Sequence, residues 1–149
     1  MSIFSRIADA LIARAKRTPY SHIINGVGLT QNPNEADYMC RWHLIKPGRF
    51  PFAARVHHIK MADQDRHLHT HPWNAVSLIL KGGYWEERPS ENGGITIWRG
   101  PGSLVRLSHK DVHRIVKVAD GGAWTLFMTG KYRHTWGFLI PYREYLGDN

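Results

Sequence analysis

The stretch Arg66–Trp73, "RHLHTHPW", sets His67, His69 and His71 at every second position and closes with Pro72 and Trp73. Side chains two residues apart on an extended strand share one face. The row therefore predicts a strand face that carries imidazoles. On a regular strand His69 and His71 lie about 6.6 Å apart at Cα, close enough to meet one ion if the strand bends inward. The same row fits a hydrogen-bonded histidine pair inside a barrel. A third ligand from another segment decides between the two.

Outward from that row the pattern is strand-like. A long strand from His67 to Leu80 is expected to end at Lys81-Gly82-Gly83, where two glycines allow a tight reversal. "YWEERP" then forms the return and "SENGG" (90–94) the next turn. Upstream, "YMCRWHLI" (38–45) and "PFAARVHHIK" (51–60) flank a Pro47-Gly48 turn. Downstream come "ITIWR" (95–99), "SLVRL" (103–107), "VHRIVKV" (112–118), "AWTLFMT" (123–129) and "WGFLI" (136–140), with glycine-rich turns between most of them. Many short strands at short intervals indicate an all-β sandwich or a rolled barrel.

Residues 2–17 read differently. Ile3, Phe4, Ile7, Leu11, Ile12 and Ala15 recur at helical spacing, and Pro19 stops the helix. The expected role is packing on the body of the fold or on a second subunit; Asp9 and the short apolar stripe weaken a membrane-surface or transit-leader reading. The domain plan is a helix over residues 1–19 and a single β-barrel over 20–149.

Composition narrows the classes. At 149 residues, with 42% apolar and 21% charged residues, the chain suits one domain with a real core. Cys40 stands alone, which excludes a disulfide framework and a thiolate metal cluster. No apolar run approaches the roughly 20 residues of a membrane span. The amino terminus shows no apolar secretory core, so a reducing cytoplasm is the expected compartment. The net charge of +8 comes from scattered basic residues with no nucleic-acid module, so nucleic acid is not the expected partner. A small carboxylate or phosphate ligand fits that charge.

Residues 67–113 resemble the cupins, small jelly-roll barrels (a double-stranded β-helix) that hold a metal or ligand inside. Their first motif is G-x5-H-x-H-x3,4-E-x6-G. His69, His71 and Gly83 fall in its register, with Val76 at the glutamate position and His67 outside the pair. Their second motif is G-x5-P-x-G-x2-H-x3-N. Gly102 and His113 match it, whereas Ser108, Lys110 and Lys117 replace its proline, second glycine and asparagine. The resemblance implies an all-β cupin barrel after the short N-terminal α-helix, with a three-histidine metal face of His69, His71 and His113. Three neutral imidazoles suit Fe(II), Zn(II), Ni(II) or Cu(II), and the choice among them stays open. A longer pattern, H-x-HPW at His69–Trp73, GGY-x-E at Gly82–Glu86 and WGF at Trp136–Phe138, is similar to cupin-like proteins common in bacteriophages, a group without a settled activity.

Further candidates follow from facing. If Lys81-Gly82-Gly83 is a hairpin, Val76, Leu78 and Leu80 share the inward face, and Tyr84 and Glu86 point in beside them. Glu86 could then replace the missing glutamate as ligand or base, with Tyr84 as acid–base help; a one-residue slip would instead leave Glu86 on the surface. One of His57 and His58 faces inward, where it could hold a ligand. Arg106 alternates with Val105 and Leu107 and would pair with a ligand carboxylate or with Glu86 if it points in. Trp73 and Trp124 read first as packing, with Trp73 near enough to His71 to touch a ligand. Asp63 and Asp65 read as a turn. Two functions remain: a metal-dependent enzyme, oxygenase- or isomerase-like, acting on a small polar or anionic molecule, and a non-catalytic ligand-binding or assembly module. A homodimer is expected.

Overall fold

The computed structural model describes residues 2–18, 20–24, 37–63, 67–91, 93–133 and 135–140. Helix α1 (Ile3–Ala15) precedes the strands β1 (Tyr20–Ile24), β2 (Asp37–Ile45), β3 (Ala53–Ile59), β4 (Leu68–His69), β5 (Ala75–Ser90), β6 (Gly93–Arg99), β7 (Leu104–Leu107), β8 (Arg114–Thr129) and β9 (Phe138–Leu139). All pairings among these strands are antiparallel. The main sheet runs β1-β2-β3-β8-β5-β6, β7 joins β5, and β4 pairs with β9. This is the expected all-β jelly roll with a short N-terminal helix.

Two 16-residue strands, β5 and β8, organise the barrel. The first half of β5 pairs with β7 and its second half with β6, while β8 runs along both. The hairpin expected at Lys81-Gly82-Gly83 does not form, and "DGG" (120–122) does not divide β8. Both strands pass straight through their glycines, with register shifts around Ile79–Tyr84. The physical reason is close approach. A Cβ on Gly82 would lie 1.9 Å from the Gly122 carbonyl oxygen, and Gly82 itself sits at φ +68°. Here the glycines let two backbones bend against each other, a use of strand glycine distinct from a reversal. The long strand expected from His67 to Leu80 is likewise broken, into β4 and β5, by the segment around Pro72.

The bend also changes which side chains face inward. Ala75, Ser77 and Ile79 are buried beside Thr129, Phe127 and Thr125 of β8. Val76 and Leu78 take the other face, so the expected inward trio of Val76, Leu78 and Leu80 is corrected. Leu80 is buried, but beneath the helix: Leu78, Leu80, Trp124 and Leu126 pack with Ala8 and Ile12 of α1. Ala15 closes a second cluster with Cys40, Trp42 and Val56. Ser2 caps the helix by accepting from the Ser5 amide at 3.1 Å. Ile3 and Ile7, expected on the packed stripe, are exposed; the buried face of the helix is Ala8, Ile12 and Ala15. No helix among the described residues is long and apolar enough to cross a membrane.

The glycine contact generates a test. Gly82→Ala should lower the unfolding free energy by about 2–5 kcal/mol, from left-handed backbone strain plus overlap with β8. Gly102→Ala, at φ +86° with open space around it, should cost only about 1–2 kcal/mol. Urea unfolding of the pair measures the difference.

Candidate metal centre and ligand cavity

Backbone geometry brings the histidines together. His69 and His113 exchange reciprocal backbone hydrogen bonds of 2.9 and 3.1 Å, which sets the end of β4 against the residue before β8. His71 follows two residues on, its ring 5.2 Å from that of His69 and 5.1 Å from that of His113. One ring nitrogen from each lies within 4.8 Å of the others. The Nε2 atoms of His71 and His113 are 2.8 Å apart. Two ligands of one ion at bond lengths near 2.1 Å would stand about 3.0–3.4 Å apart, so a small adjustment admits a cation. His67 is not in this cluster.

Glu86 lies behind the cluster, not in it. Its carboxylate has no exposed surface. Oε1 accepts from His113 Nδ1 at 2.7 Å and from Arg88 at 3.0 Å, and Oε2 accepts from Arg99 at 2.7 Å. Burial alone would raise the carboxyl pKa. Hydrogen bonds from His113 and Arg88 overcome that and hold it at about 2. An ionised carboxylate on Nδ1 leaves the Nε2 lone pair of His113 facing His69 and His71, the tautomer a metal needs. Burial, with His113 and His69 adding to it, lowers the His71 pKa to about 3, so that imidazole is neutral as well. The donor set fits a divalent transition metal held by three histidines.

The cluster opens on a cavity of about 100 Å³. Tyr84 lines it, with its phenol pKa raised by burial and by Glu86. The expected inward facing of Tyr84 and Glu86 is therefore found, although through a bent strand and not through a hairpin. His57 is the inward member of its pair. His58 faces out and stacks on Trp124 at 4.1 Å. Trp73 lines the cavity too, and the Arg55 guanidinium lies 5.6 Å from its ring centre. Arg106 is exposed and outside the cavity. Val105 and Leu107 take the buried side of β7, so alternation sends Arg106 to solvent.

Of four polar groups in and beside the cavity, three were not singled out from sequence and the fourth, Asp63, was read only as a turn. Tyr38 donates a hydrogen bond to Asp63, whose second oxygen accepts from the Ile115 amide at 2.6 Å. Asp63 thus does more than make a turn; Asp65 falls outside the described residues. Arg41 and Arg55 are the other two. Their signal was present, since Arg41-x-His43 and Arg55-x-His57 each repeat polar residues with period two, the mark of a polar barrel interior.

No protein-family model matches the chain, and no curated protein matches it. Solved structures do. The polyketide cyclase RemF from Streptomyces resistomycificus aligns with a TM-score of 0.62 at 16% identity, over 85% of this chain and 83% of its own. The DMSP lyase DddQ from Ruegeria pomeroyi DSS-3 aligns with 0.63 at 20% identity, over 95% and 70%. A cupin-2 domain from Rhodospirillum rubrum gives 0.59 at 14%, over 82% and 75%. The fold is that of a cupin. At such identities the likeness speaks to the fold alone.

Two outcomes test this cupin barrel's interior. Glu86→Gln should destabilise the protein by about 3–5 kcal/mol, because Arg88 and Arg99 lose their buried counter-charge. The second is a pH effect. Burial, then Arg41 and Arg55, pushes the His57 pKa well below 6.5. The unfolded chain therefore binds more protons below pH 6.5, and stability falls as pH drops from there, by up to about 1.4 kcal/mol per unit for one such group. In chelator-treated protein His57→Phe should lessen that decline, measured by urea midpoints between neutral and mildly acid pH.

Proposed function

We propose that the protein is a metal-dependent enzyme that moves a proton on a small polar or anionic molecule held inside the barrel, an isomerase-like activity. The observation that carries this reading is the convergence of His69, His71 and His113 on one point at the cavity. A divalent metal on those nitrogens would supply Lewis-acid polarisation of a substrate oxygen. The remaining chemistry belongs to the chain. Tyr84, its phenol kept protonated by burial and by Glu86, is the proton donor. Asp63, holding the Tyr38 hydroxyl proton, is the acceptor in the same cavity. Glu86 takes the role of orienting His113, in place of ligand or base.

Three neutral imidazoles accommodate Fe(II) as well as Zn(II), which keeps oxygenase-like turnover as the second reading. The expected homodimer is supported by exposed Trp98 and Ile95 on the edge strand β6, with exposed Trp85 and Leu104 on neighbouring strands.

Elemental analysis of untagged protein tests the proposal. About one transition metal per chain is expected, falling at least tenfold in His71→Ala and His113→Ala and 10–100-fold in affinity in Glu86→Gln. Metal-dependent exchange of a substrate C–H proton separates the isomerase-like reading from oxygen consumption. Substoichiometric metal, unchanged in His71→Ala, would leave a ligand-binding module.

A further inference from the structure

A second set of polar groups shares the cavity with the histidines, and nothing in the metal chemistry uses it. Arg41, His57 and Thr125 are direct cross-strand neighbours on β2, β3 and β8, so all three project from the same inner face. Each of the three lines the cavity. His57 and Thr125 are 4% and 1% exposed, yet His57 Nε2 and Thr125 Oγ1 have no hydrogen-bond partner. Arg41 is only partly buried, but its Nε is buried without a partner. Arg55, two residues before His57 and on the same side of β3, does not line the cavity itself but lies against Trp73, which does; it is 6% exposed, with Nε and Nη1 both unpartnered. Trp73 Nε1, beside it, is unpartnered as well.

This inventory is chemically one-sided. Guanidinium and indole N–H groups only donate, and a hydroxyl and an imidazole can donate. Among the described residues no carboxylate lies within ion-pair distance of Arg41 or Arg55. Glu86, the fully buried acid nearby, is already taken by Arg88, Arg99 and His113. Buried cations without a counter-charge are strongly unfavourable, and buried donors are nearly always satisfied. An anion is the missing partner. Burial also lowers the pKa of both arginines, in keeping with cations that lack one.

Size then selects among anions. A cavity of about 150 Å³ encloses a benzene ring, so one of about 100 Å³ takes roughly four to six non-hydrogen atoms. The flat fork of a guanidinium matches a carboxylate in two parallel hydrogen bonds. We infer that Arg41, with Arg55 and the donors of His57, Thr125 and Trp73, forms a carboxylate subsite that holds a short-chain carboxylic acid with its other end toward the three histidines. This names the substrate class of the enzyme proposed above and rests on that reading for turnover. The binding itself needs only this chain's own side chains.

The test uses metal-free protein, so that the two ideas fail separately. Chelator-treated protein is titrated with propanoate, propanamide and inorganic phosphate, following tryptophan fluorescence and melting temperature, and metal uptake is measured on the same preparation. Propanoate should bind saturably and raise the melting temperature, with propanamide at least tenfold weaker, the scale of one charge-assisted hydrogen bond. Arg41→Met should weaken propanoate at least tenfold without reducing metal uptake. Arg55→Met should do the same and should melt no lower than wild type without ligand, since it removes an unpaired buried charge. Arg41→Lys should recover part of the affinity. No saturable binding of propanoate, equal binding of propanamide or phosphate, or undiminished binding in both methionine variants would overturn the subsite. Propanoate binding with no metal uptake would leave the subsite standing and remove the metal reading instead.

Discussion

The reciprocal backbone pair between His69 and His113 is the constraint from which the interior follows. A two-residue strand has little hold of its own. β4 is kept in place by β9 on one side and by this bridge on the other. The bridge brings side chains 44 positions apart in sequence to a ring separation of 5.2 Å. His71 then reaches the same point because the chain leaves the strand after His69 and turns at Pro72, whose carbonyl accepts from the Arg133 amide at 2.7 Å. Without that pairing the row of histidines would be an ordinary strand face.

Electrostatics inside the barrel divide into two halves. Around Glu86 every carboxylate oxygen is engaged: one buried carboxylate, two arginines and one imidazole share four oxygen–nitrogen contacts of 2.7–3.0 Å. That closed group fixes the tautomer of His113 and leaves Glu86 no oxygen for Arg41 or Arg55. Around Arg41 and Arg55 nothing is balanced. Under the proposed reading, that unpaired side of the cavity receives a small anion opposite the three histidines. The net charge of +8 only hinted at this, because a sum over the chain carries no position.

The histidine face was legible because β-structure has a period of two and because His113, just before β8, falls at the spacing the cupin pattern expects. The bends were less legible. Glycine pairs serve both tight reversals and close strand approach, and only the partner strand decides between them; Gly122 against Gly82 settled it for β5. The inward facing of Glu86 was reached from a hairpin that does not exist, and register shifts in β5 restored the same outcome. Arg106 was ambiguous for the opposite reason. A basic residue between Val105 and Leu107 reads equally as ligand contact or as solvated face, and burial of its two neighbours places it outside. Asp63 was read only as a turn, since its partners Tyr38 and Ile115 are far away along the chain.

In the proposed metal centre three imidazoles, and not the carboxylate of Glu86, make up the protein's share of the coordination shell. X-ray absorption at the edge of the metal bound by purified protein addresses this directly. Three imidazole nitrogens at about 2.0–2.1 Å are expected for zinc, with the outer-shell scattering of their rings. A first shell with one or no imidazole, or one unchanged in His113→Ala, would contradict it.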